Sequence, residues 1–319
     1  MRTLITWLAL LLSTLPAAAQ GWPDRAVRMV VPYAVGGSTD TTARLVAEGL
    51  RRDLGQSFVV ENRPGAGGAI GHAAVAVAPT DGYTLLFSAA GPLTVTPHTT
   101  ARLSYDPIHA FAPIKLVAGA PLLLLVRPGT GINNLPGLLA TIARMPSGMS
   151  YGSFGIGSAA HLAGEMFRAA SGATLVHVPY TGSAPALNAL MAGDTGMMFD
   201  VLASSVALVQ GGRLRALAVT APARSSLLPD VPTMAEAGFP GFEAGTWFGL
   251  LAPTGTPKAV ISVLDRAMDA VMRQPEFQQA MITQGLEVMG GSPQRFADFF
   301  QAEFVKWGQA AQGAGLRPN

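Results

Sequence analysis

Short apolar runs alternate with helix-like segments along the chain, and this alternation restricts the fold more than any other feature. The apolar run at residues 27–31 ends at Pro32, and residues 43–54 then carry apolar side chains at helical spacing. Residues 57–60, 69–78 and 84–88 continue the order as strand, helix and strand. Because neighbouring parallel strands need a crossover between them, this order predicts a parallel sheet covered by helices.

A second series of the same kind begins at residue 122. Its strand candidates are residues 122–126, 150–153, 176–178, 196–199 and 216–219, and its helix candidates are residues 159–170 and 184–191. After a strand at residues 247–251, amphipathic helices are predicted at residues 258–273, 275–284 and 293–311. The second series predicts a second α/β lobe, and the last helices are expected to cover the first.

The length of the chain also favours two lobes, since 319 residues exceed one ordinary core. We assign residues 20–120 and 225–319 to lobe 1, and residues 121–224 to lobe 2. Hydrophobic residues make up 49% of the chain and charged residues 13%, as is typical of mostly parallel sheets flanked by helices. The fold class expected is therefore α/β, with a cleft between two lobes.

The first 19 residues have the pattern of a secretory signal peptide. Arg2 supplies a positive charge, residues 4–15 form an apolar core too short to span a bilayer, and small Ala17 and Ala19 precede Gln20. We expect cleavage near Ala19 and Gln20 and a mature protein that works in the periplasm. An N-terminal membrane anchor is the alternative, but polar residues follow the apolar core at once.

Charge and cysteine content exclude several classes of function. The formal net charge is +2, and the lysines and arginines are scattered singly, so no basic patch for nucleic acid is present. The chain has no cysteine, which excludes disulfides, thiolate metal sites and a cysteine nucleophile. Its five histidines lack metal-binding spacing, and no serine lies in a G-x-S-x-G motif. We expect a monomer without cofactor or metal.

Glycine and small hydroxyl residues mark four junctions between a strand and a helix. Such junctions lie at the carboxyl ends of parallel strands, where the unpaired N–H groups of a new helix attract anions. Any one of them could be an ordinary helix cap, but four in two lobes predict a cleft that binds an acid. These junctions are residues 36–40, 88–91, 155–159 and 181–184.

These loops have two other possible functions, which are nucleotide binding and acid–base catalysis. Gly155, Gly157 and Ala160 match a loose dinucleotide fingerprint, but the next strand ends without the acidic residue that would bind a ribose. Asp40, His161 and Asp200 could serve acid–base catalysis in a secreted hydrolase or isomerase. Otherwise Asp40 orders its own loop, and Asp200 binds backbone, water or a ligand amine.

Many short motifs occur in order along the whole mature chain. Examples are Gly36-Gly37-Ser38-Thr39-Asp40, Val60-Glu61-Asn62-Arg63-Pro64-Gly65, Asp81-Gly82-Tyr83-Thr84-Leu85, His177-Val178-Pro179-Tyr180 and Leu228-Pro229-Asp230-Val231-Pro232-Thr233. Together they resemble the substrate-binding proteins of tripartite tricarboxylate transporters, also called the Bug family. The resemblance implies a periplasmic, type II-like binding protein that is not an enzyme. Such a protein captures a small carboxylate and delivers it to integral membrane subunits or to the ectodomain of a sensor kinase.

The same resemblance implies a set of ligand-binding residues in loops that face each other across the cleft. The set is Tyr33, Gly37, Ser38, Asp40, Ser88, Ala90, Phe154, Ser158, His161, Thr181, Ser183 and Asp200. In this chain the loop at residues 88–91 is poor in hydroxyl groups, and Phe154 is expected nearby. We therefore expect an apolar distal pocket that favours an aromatic or aliphatic acid over citrate.

Overall fold

Strands and helices alternate throughout the part of the chain that the computed structural model describes, residues 21–313. The predicted signal peptide lies outside the described residues. The strands are β1 (Val27–Val31), β2 (Phe58–Asn62), β3 (Thr84–Ala89), β4 (Phe111–Val126), β5 (Met149–Ser153), β6 (Leu175–Pro179), β7 (Met197–Val201), β8 (Arg215–Val219), β9 (Gly245–Pro253) and β10 (Glu287–Val288). The helices are α1 (Ser38–Leu54), α2 (Ala69–Ala76), α3 (Leu135–Ile142), α4 (Ala159–Ser171), α5 (Ser183–Ala192), α6 (Leu202–Gln210), α7 (Lys258–Met272), α8 (Pro275–Thr283) and α9 (Pro293–Gly313).

The strands form one curled, mixed sheet in the order β2-β1-β3-β9-β4-β7-β5-β6, with β8 and β10 paired to β4. Strand β1 is parallel to β2 and β3, and strand β5 is parallel to β6 and β7. These two parallel groups form the centres of lobe 1 and lobe 2. The antiparallel pairs all involve β4 or β9, the two strands in the middle of the sheet.

Strand β4 is longer than its sequence pattern predicts, because residues 122–126 are only its C-terminal part. Its residues up to Pro121 pair with β9, its last five pair with β7, and its last four also pair with β8. Pro113 and the charged Lys115 interrupt the apolar pattern of the first part. A register shift between these two residues accommodates the interruption. One continuous strand thus connects the two parallel groups.

Thr220 joins two chain segments that cross between the lobes, one at Leu122 in β4 and one at Ala244 just before β9. Its backbone N–H donates to the carbonyl of Leu122, and its hydroxyl accepts from the Leu122 N–H at 2.8 Å. The same hydroxyl donates to the carbonyl of Ala244, and Thr220 is buried. Because these bonds cross-link both segments at one point, they hold together the place about which the lobes would move.

C-terminal helices pack on the lobe 1 side of the sheet. Helix α7 lies against α1 so closely that a Cβ at Gly49 would come within 2.4 Å of Val271. In α9, Phe296 packs edge-on against Trp247 of β9, with ring centroids 5.5 Å apart. A glycine contact and an aromatic cluster therefore secure the helices that enclose this part of the core.

Three helical features differ from the sequence pattern. Helix α1 begins at Ser38 rather than at residue 43, because its first turn is polar and carries no apolar period. Helices α3 and α6 were not predicted, and α6 follows β7 directly without a turn residue. No helix within residues 21–313 is both long and apolar enough to cross a membrane.

Candidate functional site

A small cavity lies where the N-termini of α1 and α5 meet. One set of lining residues comes from lobe 1 and the central strands, and the other comes from lobe 2. The lining residues are Tyr33, Gly37, Ser38, Thr39, Ala89, Phe154, Ser183, Val201, Thr246 and Phe248. Tyr33 and Phe154 meet edge to face across the cavity, with ring centroids 6.2 Å apart.

The N-terminus of α1 is open because glycine stands where a capping side chain would be. Gly36 has a φ of 88°, which turns the chain sharply, and Gly37 offers no side-chain acceptor. The N–H groups of the first helical turn, which includes Ser38 and Thr39, therefore lack a capping side chain at the cavity wall. The positive end of the helix dipole reinforces this preference for an anion.

The N-terminus of α5 is built in the same way on the opposite side. Gly182 precedes the helix and no side chain caps it, while Ser183 lines the cavity. A Cβ at Gly182 would lie only 3.1 Å from both Cβ and N of Ala34, so glycine permits the loops to meet. Two uncapped helix ends thus reach one cavity from different lobes.

Direct contacts between the loops show that the lobes are closed around this cavity. The N–H of Ala34 donates to the carbonyl of Thr181 at 3.2 Å. The hydroxyl of Thr96 donates to the carbonyl of Gly157 at 3.3 Å. Both bonds join a loop of lobe 1 to a loop of lobe 2, and they leave the cavity largely enclosed.

Asp40 orders the loop that leads into α1. Its carboxylate accepts hydrogen bonds from the N–H of Gly36 at 2.9 Å and from Asn62 at 3.0 Å, and it pairs with Arg44 at 2.9 Å. Burial raises the pKa of Asp40, but the hydrogen bonds from these three residues and the charge of Arg44 outweigh it and lower the pKa. Asp40 is buried behind the cavity wall and is absent from the lining.

We expect Asp40→Ala to destabilise the fold by about 2 kcal/mol at pH 7, because it removes hydrogen bonds to a buried charged group. Since the folded state holds the pKa of Asp40 below its usual value, this stabilisation is present at neutral pH and is lost as the pH falls below about 4. Urea unfolding at several pH values measures both effects. Asp53→Ala, at an exposed position of the same helix, is the control; an equal loss in both variants would contradict this role.

Asp200 lies behind Ser183 in the wall of lobe 2. It is fully buried and accepts hydrogen bonds from the hydroxyls of Ser183 at 2.6 Å and Ser204 at 2.8 Å. Burial raises the pKa of Asp200 to about 7, although these hydroxyls and the N–H of Val201 oppose the rise. Ser183 lines the cavity and thus connects this buried carboxyl group to it.

Two predicted residues at the end of β3, Ser88 and Ala90, contact neighbours within lobe 1. The hydroxyl of Ser88 is hydrogen-bonded to Nε2 of His72 at 2.9 Å. Ala90 is buried with Leu86 and Leu93 in an apolar cluster. Neither residue lines the cavity, whereas Ala89 between them does.

Three predicted residues of lobe 2 support its loops. Ser158 caps α4 by accepting a hydrogen bond from the N–H of His161. The Nδ1 atom of His161 accepts from the N–H of Gly157 at 3.1 Å, and its ring stacks on His177 at 4.1 Å. Thr181 contributes the carbonyl that bonds to Ala34, and its residue is exposed. These groups shape the closed loops without lining the cavity.

Five residues of the predicted set line the cavity: Tyr33, Gly37, Ser38, Phe154 and Ser183. The other five are Thr39, Ala89, Val201, Thr246 and Phe248. Thr39 and Ala89 lie within the predicted junctions at residues 36–40 and 88–91, whereas the remaining three were not predicted. Thr39 and Val201 are next in sequence to the predicted residues Ser38 and Asp200, so the motifs that predicted those residues also pointed to them. Thr246 and Phe248 lie in β9, whose antiparallel pairing with β3 brings Phe248 opposite Ala89. That pairing has no local signal in the sequence.

The residues of the alternative catalytic interpretation do not form a common group. Asp40 bonds to Asn62 and Arg44, His161 bonds to Gly157, and Asp200 bonds to serines. Within the described range, no three histidine, cysteine, aspartate or glutamate side chains could jointly hold a metal ion. The chemistry that this geometry supports is binding of an anion by N–H and hydroxyl donors.

Comparison with known proteins gives one consistent family. Residues 42–316 match the model described as the tripartite tricarboxylate transporter family receptor. Among solved structures, the periplasmic binding protein BugD is 38% identical with a TM-score of 0.90, over 93% of this chain and 100% of that one.

Two further similar structures contain dicarboxylates. The Rhodopseudomonas palustris protein Rpa4515, solved with adipate, is 36% identical with a TM-score of 0.91 over 93% of this chain and 100% of its own. MatC from the same organism, solved with malate, is 32% identical with a TM-score of 0.87 over 91% and 99%. The chain therefore belongs to the tripartite tricarboxylate transporter receptors, or Bug proteins, which are extracytoplasmic two-lobed receptors for small carboxylates.

Proposed function

We propose that this protein captures a small carboxylate in the cavity between α1 and α5. The observation that carries the proposal is the convergence of two glycine-preceded, uncapped helix N-termini on one enclosed space. Each helix end offers N–H donors and a positive dipole, and each belongs to a different lobe. A carboxylate between them bonds to both lobes and so favours the closed arrangement.

The cavity achieves this recognition without a charged side chain in its lining. An arginine or lysine there would be costly to bury whenever the ligand is absent. Backbone N–H groups and the hydroxyls of Ser38, Thr39 and Ser183 avoid that cost and still satisfy the oxygens of an anion. This is why we assign the binding role mainly to the two helix ends rather than to a basic residue.

The remaining lining favours an aliphatic or aromatic acid over citrate. Ala89, Phe154, Val201 and Phe248 contribute apolar surface to the same cavity. A third carboxylate of citrate would have to lie against such surface without a partner, which costs free energy. The adipate in the similar Rpa4515 supports a ligand of two carboxylates joined by an apolar chain.

We assign residues 20–120 and 225–319 to lobe 1 and residues 121–224 to lobe 2, with the crossing near Thr220 as the hinge. The first 19 residues direct export and are removed. The mature monomer carries its ligand unchanged, without catalysis, to the integral membrane subunits of a transporter or to the ectodomain of a sensor kinase.

Thermal unfolding with a panel of acids tests this function. The chain from Gln20 onward is unfolded and refolded to remove carried-over ligand, then heated with adipate, malate, benzoate, citrate or sodium chloride. A ligand at 100 times its Kd should stabilise the fold by about 2.7 kcal/mol, a shift of several degrees. We expect adipate or benzoate to exceed citrate and to be recovered unchanged. Equal curves for all acids, or consumption of the acid, would contradict the proposal.

A further inference from the structure

Ser183 and Asp200 form a buried hydrogen-bonded pair in the wall of the cavity. Ser183 lines the cavity, and its hydroxyl donates to Oδ1 of Asp200 at 2.6 Å. A serine hydroxyl has one proton and two lone pairs. While that proton is given to Asp200, the oxygen of Ser183 can offer only lone pairs to a ligand. An approaching carboxylate oxygen would then meet another acceptor.

We propose that a carboxylate which bonds to Ser183 is bound together with one proton from solvent, held by the carboxyl group of Asp200. The protonated Asp200 donates to the oxygen of Ser183, and Ser183 turns its own proton toward the ligand. One proton is taken up for each ligand bound, and the negative charge in this wall moves from Asp200 to the ligand. This inference rests on the proposed function, because it assumes a carboxylate in the cavity.

The surroundings of Asp200 make such proton uptake possible near neutral pH. Its partners are the hydroxyls of Ser183 and Ser204 and the N–H of Val201, with Ser205 beside them, all of which are neutral. Within the described residues no lysine, arginine or histidine pairs with it, and its strand neighbour on β4 is Leu123. Burial without a cation raises the pKa of Asp200 to about 7, so either protonation state is accessible.

The position of Asp200 also explains why two buried negative charges would not coexist there. Asp200 lies two residues before the start of α6, and its partner Ser183 is the first residue of α5. The carboxyl group therefore lies near two helix N-termini. These ends stabilise one negative charge in this wall. A ligand carboxylate competes for the same positive ends, and like charges in a buried site raise the pKa of the one that remains. Asp200 is thus a positioning residue that acts through Ser183.

Calorimetric titration with adipate in buffers of different ionisation enthalpy measures the proton uptake directly. Both carboxyl groups of adipate are ionised above pH 7, so the ligand itself brings no proton. At pH 8 we expect uptake close to one proton per adipate, and at pH 7 about half of that. Above pH 7 the affinity should fall up to about tenfold for each pH unit. Binding requires protonated Asp200, and the protonated fraction of the free protein decreases as the pH rises.

Asp200→Asn tests the assignment, because asparagine donates to Ser183 without a proton from solvent. We expect it to bind adipate with no proton uptake and with little change in affinity between pH 7 and 9. Ser183→Ala keeps Asp200 but removes the connecting hydroxyl, so its proton uptake should be smaller than that of the unmodified chain. Asp194→Asn changes an exposed aspartate of the same lobe and should retain it.

The possible outcomes separate this inference from the function on which it rests. Adipate binding by the unmodified chain without proton uptake at pH 8 would overturn the inference alone. Uptake that persists in Asp200→Asn would also overturn it, because another group would then take the proton. If neither adipate nor the other acids of the panel bind between pH 5.5 and 9, the proposed function itself fails.

Discussion

Gly91→Ala should weaken adipate binding by about 5- to 150-fold while leaving the unliganded protein about as stable as before. A Cβ at this position would lie 2.9 Å from the carbonyl oxygen of Gly157 and 3.1 Å from Cα of Ser158. Both neighbours belong to lobe 2, whereas Gly91 follows β3 in lobe 1. Overpacking of this kind costs about 1–3 kcal/mol, which corresponds to the stated range in Kd. The cost applies only when the lobes close.

The backbone at Gly91 makes this variant informative, since it lies in a helical turn with negative φ that alanine readily adopts. Gly137→Ala, in helix α3 of lobe 2, is the matched control because its Cβ would meet only the side chain of Asn134. Calorimetry gives the affinities, and urea unfolding without ligand gives the stabilities. An unchanged affinity, or an equal loss of stability in the unliganded protein, would show that the contact is not specific to closure.

Asp265→Asn combined with Asp269→Asn should destabilise the protein by about 3–5 kcal/mol. Both aspartates lie on α7 and pair with the ammonium group of Lys115, which is fully buried in β4. Lys115 also donates to the carbonyl of Gly291 at 2.8 Å. Without the carboxylates the ammonium group has only neutral acceptors, and a buried charge without a counter-charge is strongly unfavourable. Urea or thermal unfolding at pH 7 measures the loss.

The mechanism of this loss can be separated from a simple packing defect. Lys115→Met in the double-variant background removes the unpaired charge with similar volume, and it should recover most of the stability. Glu48→Gln, which breaks an exposed pair of Glu48 with Arg51 and Arg52, should leave stability unchanged. If Lys115→Met gives no recovery, the buried charge is not the cause of the loss.

The parallel groups of strands were predictable because each strand and helix carries a local signal. The run at residues 27–31, the helix near residues 43–54 and the strand near 84–88 have the periods and stop signals of their elements, and all are confirmed. Strand β4 was predicted only in part, since Pro113 and Lys115 interrupt its apolar pattern. The antiparallel positions of β4 and β9 depend on contacts between residues far apart in sequence.

Those parts of the candidate site that lie in short sequence motifs were predictable. Gly37, Ser38 and Ser183 stand at glycine-preceded helix starts, and the structure places all three in the cavity lining. Phe248 lines the same cavity through long-range pairing with Ala89, which no local pattern shows. Asp40 and His161 occur in equally polar motifs, yet their side chains bond to loop N–H groups behind the wall. The direction in which each side chain points, and not its residue type, decides whether it lines the cavity.

Amide NMR shifts during a titration with adipate test the central claim most directly. We expect the ligand carboxylates to lie against the first N–H groups of α1 and α5, at Ser38, Thr39, Ser183 and Ala184. These four amides should show the largest shifts and should saturate together with the calorimetric binding curve. Shifts that instead cluster around the separate surface groove beside Phe239 and leave these four amides unchanged would contradict the account.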